Sequence, residues 1–318
     1  MKMKFPTVKG YLTGFLIVAT MIYGCVKSNT SSGPAPGTTS VSSIIKNAND
    51  ATIFSAALAR THLDTVFNGA GPFTVFVPTD AAFSASGISN VVLDKISDDS
   101  LKYFVLYHTL AANLLSSGLP AGPNAKVITA NGDSIFVTSN GNSIYVNGVP
   151  LLAADVLASN GVVHALQRPL IPARGNILQT IQSDTTFTFF LAGIAKASQG
   201  TTNLDSMLTA GGPFTLFVPT NNAFRSAGFA STDDINNAST DSIANIILYH
   251  ILPSRTFSPD MVAGQTAKTL NDSTILYSVG SSVRQIKGNQ NTAPANTLAI
   301  NVMATNGVLF VIDQVLEP

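Results

Sequence analysis

Gly71-Pro72-Phe73-Thr74-Val75-Phe76-Val77-Pro78-Thr79-Asp80-Ala81-Ala82-Phe83 returns further along the chain as Gly212-Pro213-Phe214-Thr215-Leu216-Phe217-Val218-Pro219-Thr220-Asn221-Asn222-Ala223-Phe224. Ten of the thirteen positions are identical, at an offset of 212 − 71 = 141 residues, and a repeat of that length marks a duplicated domain. Each copy reads as a turn, a strand and the start of a helix. Gly-Pro opens the turn, after which Phe73, Val75 and Val77 point to one face and Thr74 and Phe76 to the other. Apolar groups on both faces predict a central strand. Pro78 lacks a donor and ends the ladder, and Thr79 or Asp80 is placed to cap a helix beginning at Ala81, as Asn221 is in the second copy. Phe83 and Phe224 fall one turn inside that helix, where each folds back on the strand; burying such a ring is worth about 1.5 to 3 kcal/mol. The stretch is scaffold.

Two further pairs of segments repeat in the same order. Tyr103-Phe104-Val105-Leu106-Tyr107-His108-Thr109-Leu110 matches Asn245-Ile246-Ile247-Leu248-Tyr249-His250-Ile251-Leu252, offset 250 − 108 = 142. The segment from Asn160-Gly161-Val162-Val163 to Pro172 matches that from Asn306-Gly307-Val308-Leu309 to Pro318, offset 306 − 160 = 146.

As a set, the Gly-Pro-Phe-Thr block, the Tyr-His pair ending a helix and the closing Asn-Gly-Val-Val-His strand resemble the fasciclin domain, twice over, across nearly everything after residue 40. The resemblance implies a binding or adhesion role. In that family the Tyr-His region is linked to adhesion, which points to Tyr107, His108, Tyr249 and His250 as the adhesion region.

The residues before this repeat read as an address. Lys2, Lys4 and Lys9 make a basic start, Tyr11 to Tyr23 is an apolar run, and Ile22-Tyr23-Gly24-Cys25 follows. A run of 23 − 11 + 1 = 13 residues is too short to span a bilayer, which needs about 20. The pattern resembles a bacterial lipoprotein signal over residues 1–24, cut before Cys25, whose thiol is then lipidated; the alternative is an ordinary secretory signal with an incidental cysteine. Cys25 is the chain's one cysteine, so no internal disulfide forms and stability must come from packing. Residues 25–40 then make a Ser-, Gly-, Pro- and Thr-rich stretch that buries no core and is expected to act as a flexible tether.

Two domains are expected, 41–172 and 173–318, each α+β: short N-terminal helices, then a β-sandwich-like set of strands. Ile44, Ile45, Ala48, Phe54, Ala57, Leu58, His62, Leu63, Val66 and Phe67 recur at helical spacings. Asp98-Asp99-Ser100 caps a later helix, one face of which carries Leu101, Phe104, Val105 and His108; Ile243, Ile246, Ile247 and His250 repeat that face. Strands are read at 126–128, 133–138, 143–147, 151–158 and 162–166, with turns at Asn131-Gly132, Asn140-Gly141 and Asn160-Gly161. The second domain reads likewise at 267–270, 274–279, 283–287, 297–304 and 308–312.

A histidine closing an apolar stripe reads as a buried ring, not a ligand or base. His164 is replaced by Phe310 in the second copy, so that position asks for a ring and not for a titrating group. The four histidines, at 62, 108, 164 and 250, form no His-Glu-x-x-His, and neither a Gly-x-Ser-x-Gly elbow nor a P-loop occurs. No cofactor, metal or catalytic residue is assigned. Seventeen acidic and seventeen basic residues cancel, without a basic stripe for nucleic acid. Asp-Ser and Asp-Thr pairs at Asp64, Asp99, Asp133, Asp184, Asp205, Asp241 and Asp272 resemble O-glycosylation acceptors of some envelope bacteria, but read first as caps and turns.

The expectation is therefore a non-enzymatic adhesion or binding protein of the cell envelope, anchored by lipid to the inner or outer membrane and meeting an envelope or extracellular protein or a glycan. The alternative is a lipoprotein that captures glycans for a polysaccharide uptake system. The absence of Trp and the core pattern of most Phe residues leave few rings to stack on sugars. A hydrolase built on the Tyr-His pairs lacks a nucleophile and a third partner.

Overall fold

The computed structural model describes residues 37–141, 143–280 and 284–318. The expected signal, Cys25 and the first part of the tether lie outside the described residues. The first repeat opens with Val41–Asn47 (α1), Thr52–Arg60 (α2) and Leu63–Asn68 (α3), which lead into Phe73–Pro78 (β1). Asp80–Ala85 (α4), Asn90–Asp94 (α5), Asp98–Tyr107 (α6) and Thr109–Leu110 (β2) follow. Its strands then run Gly122–Ile128 (β3), Ser134–Ser139 (β4), Ile144–Val146 (β5), Val149–Ala158 (β6) and Gly161–Leu166 (β7).

The second repeat takes the same course. Ile177–Gln182 (α7), Thr188–Ala197 (α8) and Leu204–Ala210 (α9) precede Phe214–Pro219 (β8), Asn221–Ser226 (α10), Thr232–Asn237 (α11) and Thr240–Tyr249 (α12). Ile251–Leu252 (β9), Thr266–Lys268 (β10), Thr274–Val279 (β11), Arg284–Lys287 (β12), Ala295–Ala304 (β13) and Gly307–Ile312 (β14) complete it. Helices come first and strands after, so the class is α+β.

By packing, the chain divides into two compact units. The first holds the described residues up to Leu119 with Thr129–Gly132 and Leu151–Pro169; the second holds Pro120–Ile128, Asp133–Pro150 and Leu170–Pro318. The second unit therefore contains the whole second repeat and the hairpins β3 to β5 of the first.

In the second repeat one mixed sheet has the order β10-β11-β12-β13-β14-β8-β9, and the first repeat has the same order, β3-β4-β5-β6-β7-β1-β2. The quoted strand is central in both: β1 runs parallel to β7 and antiparallel to β2, as β8 does with β14 and β9. Both of its faces are buried. Val75 and Val77 join Ile45, Phe54, Leu58, Phe67 and Val105 in a helix-side core, and Phe214, Leu216 and Val218 do the same in the second repeat. The alternate residue Phe217 enters a second core made of strands, with Phe310, Ile275, Ile286 and Met303. Sharing one core between β8, β14 and the β11–β12 hairpin gives the sandwich-like half of the domain.

Several local readings are corrected. Thr79 caps α4 by accepting from Ala82 N at 3.2 Å, and Asp80 is the first residue of that helix. The Asp80 carboxylate reaches instead to another helix start, accepting from Thr52 N at 3.1 Å, Ile53 N at 2.9 Å and Thr52 Oγ1 at 2.7 Å. Asn221 behaves alike: its Oδ1 accepts from Phe189 N at 3.0 Å, while Thr220 caps α10. Replacing Asp80 by Ala is therefore expected to cost about 0.5 to 2 kcal/mol by uncapping α2, a loss readable as a lower urea midpoint at unchanged slope.

Ser97, not Asp98, caps α6, accepting from Ser100 N at 3.3 Å. The closing turn is Ser159-Asn160, with Gly161 already paired to Ala158 in the strand. Gly161 is required there because a Cβ would lie 2.0 Å from the Phe73 carbonyl oxygen, and a Cβ on Gly71 would lie equally close, 2.0 Å, to the Asn160 oxygen. The end of the expected tether is held: Thr39 O accepts from Ser159 N at 2.9 Å, and Ser40 caps α1. Strand β3 begins at Gly122, four residues earlier than the reading at 126, because Asn124 adopts a left-handed conformation (φ 57°) that breaks the alternation.

Candidate functional site

The Tyr-His pairs close the helices α6 and α12, and all four side chains are in the interior: Tyr107 and His108 at 1 % and 0 % exposure, Tyr249 and His250 both at 0 %. Each histidine is the C-cap residue of its helix, and its Nδ1 lies 2.8 Å from the carbonyl of the residue four back, Phe104 or Ile246. A carbonyl only accepts, so Nδ1 carries the proton and Nε2 is the acceptor. In the second repeat that acceptor takes Leu316 N at 2.9 Å, which commits both nitrogens of His250 to backbone. The rings pack on aromatics: His108 on Phe104 and Phe54 at 4.4 and 5.6 Å, His250 on Phe190 at 5.9 Å. Burial, only partly offset by the carbonyl hydrogen bond, pushes both pKa values down to about 4.

The tyrosine turns elsewhere. Tyr249 joins the strand-side core, its hydroxyl donating to Thr274 O at 2.6 Å and accepting from Asn289 N at 2.9 Å. Burial raises its pKa. Adjacent residues on a helix thus serve opposite cores, and the pair does not converge on a shared cleft.

One trio of reactive residue types does meet, and sequence gave no signal for it: Ser116, Asp155 and His164 come from separate segments. The Asp155 carboxylate accepts from Ser116 N at 2.7 Å and from the Ser116 hydroxyl. His164 accepts at Nδ1 from Asp155 N at 3.2 Å and donates from Nε2 to Leu114 O at 3.0 Å. A nucleophilic triad needs the hydroxyl on the imidazole, whereas here it is on the carboxylate and the ring is committed to backbone. The second repeat keeps the frame without the ionisable groups. Asn301 Oδ1 accepts from Ser258 N, its Nδ2 donates to Ser258 Oγ, and the Phe310 ring packs tilted on Phe217 at 5.6 Å where His164 stacks on Phe76 at 5.5 Å. The frame therefore clamps a turn. Among the described residues no group of three or more His, Cys, Asp or Glu is placed to hold a metal.

Arg255 is a further residue that sequence reasoning passed over. It is 9 % exposed, and its guanidinium donates to the carbonyls of Ala304, Thr305 and Gly307 at the β13–β14 turn. Within the same packing unit it lies 4.2 Å from the centre of the Phe136 ring, and Phe136 also packs against Phe257 at 6.1 Å. Asn124 Nδ2 donates to Arg255 O at 2.8 Å. An arginine in a stretch without other charge, Ile251-Leu252-Pro253-Ser254-Arg255-Thr256-Phe257, was the available sign.

The sequence model of the Fasciclin domain matches residues 49–172 and again 185–318. Transforming growth factor-beta-induced protein ig-h3 of Sus scrofa is 28% identical over 253 residues, covering 79% of this chain and 35% of that protein. Periostin of Homo sapiens is 29% identical over 252 residues, 79% of this chain and 29% of its own length. The chain thus spans about a third of these relatives. Protein sll1483 of Synechocystis sp. is 26% identical over 172 residues, 54% of this chain and 89% of that protein. Among solved structures, a FAS1 domain pair from the insect cell adhesion molecule Fasciclin I aligns with a TM-score of 0.41 and 20% identity, over 85% of this chain and 98% of that one. With both matched blocks falling on the two repeats described above, this chain belongs to the Fasciclin domain family and carries the domain twice in tandem.

Proposed function

We propose that the protein is a non-enzymatic binding or adhesion protein of the cell envelope, held to a membrane by a lipid on Cys25, and that it meets protein or glycan partners through its outer surfaces. One observation carries this reading. The best-matched ionisable residues of the two repeats, Tyr107, His108, Tyr249 and His250, are interior, and the nitrogens of His250 are spent on backbone. Duplicated residues of this kind maintain a scaffold, which leaves recognition to the surface. Membership of the Fasciclin domain family supports the same role. No helix of the described residues is long and apolar enough to cross a membrane.

A deletion strain is expected to attach to matrix-coated surfaces several-fold less than its parent, with attachment restored by the intact gene. Equal attachment of the two strains refutes adhesion. Separately, Cys25→Ser is expected to move the protein from the detergent phase to the aqueous phase on phase partition; retention in the detergent phase refutes the lipid anchor.

A further inference from the structure

The two repeats share a hydrogen-bond frame that fixes which residues correspond in space. Thr74 Oγ1 donates to Ala112 O at 2.6 Å and accepts from Leu114 N at 2.9 Å; Thr215 Oγ1 does the same with Ser254 O at 2.6 Å and Thr256 N at 2.8 Å. Asn160 Nδ2 donates to Phe67 O and Gly69 O, as Asn306 Nδ2 does to Leu208 O and Gly211 O. Asn113 therefore stands where Arg255 stands. Ala158, Ser159 and Gly161 stand where Ala304, Thr305 and Gly307 present their carbonyls to the guanidinium.

In the first repeat the shorter Asn113 leaves that place open. A cleft of about 470 Å³ lies there, lined by Asn113, Leu115, Leu157, Ala158, Ser159 and Gly161 among others. Asn113 itself is exposed. A second exchange acts in the same sense. Where neutral Asn301 clamps Ser258, the anion Asp155 clamps Ser116, the neighbour of the lining residue Leu115. Relative to the second repeat, the first has lost a cation at the turn between its last two strands and gained a carboxylate on the segment that follows Asn113.

We infer that this cleft is a receptor site for a guanidinium group, seated on the carbonyls of Ala158, Ser159 and Gly161 as Arg255 is seated on theirs in the second repeat. Backbone carbonyls only accept, and each keeps a second lone pair when it is already in a ladder. A guanidinium offers five N–H donors in a rigid plane and is weakly hydrated, so it serves several carbonyls at once where an ammonium serves as a point charge. Asp155 does not line the cleft, but it stands two residues before the lining residue Leu157 and so adds negative charge beside it. This site goes beyond the adhesion reading and stands or falls separately from it.

The test is a titration of the isotope-labelled full chain, following the amide signals of residues 113 and 157–161. The probe is the blocked peptide acetyl-Gly-Gly-Arg-Gly-Gly-amide, compared with its citrulline and lysine counterparts. The arginine peptide is expected to give saturable shifts at these residues, the lysine peptide to bind more weakly, and the uncharged citrulline peptide to give none. Asn113→Arg is expected to abolish binding by filling the cleft from within. Asp155→Asn, which keeps the clamp on Ser116 as Asn301 does on Ser258, is expected to weaken binding by no more than about two- to fivefold, the size of one screened charge beside the site. Should Asn113→Arg not fold, the comparison of the arginine and citrulline peptides on the unmodified chain carries the test. Equal affinity for free L-arginine would identify a small guanidinium compound as the ligand, and weaker binding a chain-borne arginine; both keep the site. Absence of saturable shifts with the arginine peptide, equal binding of the citrulline peptide, or undiminished binding to Asn113→Arg overturns it, whatever the deletion strain shows about adhesion.

Discussion

Titration from pH 7 to pH 4 is expected to take about 3 kcal/mol of stability from each repeat, through His108 in the first and His250 in the second. Burial holds both rings at a pKa of about 4, against the ordinary 6.5 they regain on unfolding. Above 6.5 neither state is protonated and the contribution is constant. Between 6.5 and 4 the unfolded chain takes up protons that the folded chain refuses, so stability falls as the pH falls. Below 4 both states are protonated and the loss from these groups is complete. His164 is pushed down by burial as well and adds to the loss in the first repeat alone, since Phe310 occupies the matching place in the second. Urea unfolding at pH 7, 5.5 and 4 reads the effect directly; a stability that stays level across that range would mean that the rings are not held neutral inside the fold.

Phe217→Ala and Phe76→Ala are each expected to cost about 3 to 5 kcal/mol. Both rings are at 0 % exposure on strands that are hydrogen-bonded on both sides, and each packs ring against ring, on Phe310 or on His164. The strand cannot shift to close the hole, because its neighbours in the ladder fix it in register. The measurement is the denaturation midpoint of each variant at pH 7. A midpoint equal to that of the parent would mean that the ring is not packed and that the strand was wrongly assigned to the centre of the sheet.

Much of this architecture was legible in the residues. Two-sided burial of Phe73 to Val77 and the strands of the second repeat follow from period and duplication, and the stripe ending in His108 or His250 already placed those rings inside. What escaped depends on partners distant in sequence. Asp80 looks like a cap for its own helix, and only folding shows α2 presenting its amides to that carboxylate, 27 or 28 residues away. Gly161 looks like half of an Asn-Gly turn, yet the demand for glycine comes from the Phe73 oxygen across the sheet. The start of β3 was hidden by Pro123 and left-handed Asn124. The seat of Arg255 is made by three carbonyls about fifty residues further on, so one cation in an otherwise uncharged stretch gave a position without a purpose.

The hairpin residue Phe136, though written in the first repeat, meets Arg255 and Phe257 of the second. The residue at the equivalent place in the second repeat, read from Ile135 and Ile275 as paired core positions, is Leu276, and Arg255 answers to Asn113. A shuffled gene with the copies in reverse succession would therefore bring an aliphatic side chain to an asparagine and forfeit the stacked cation. Descent from one ancestral module has left two pieces that are no longer interchangeable, each fitted to its rank along the chain.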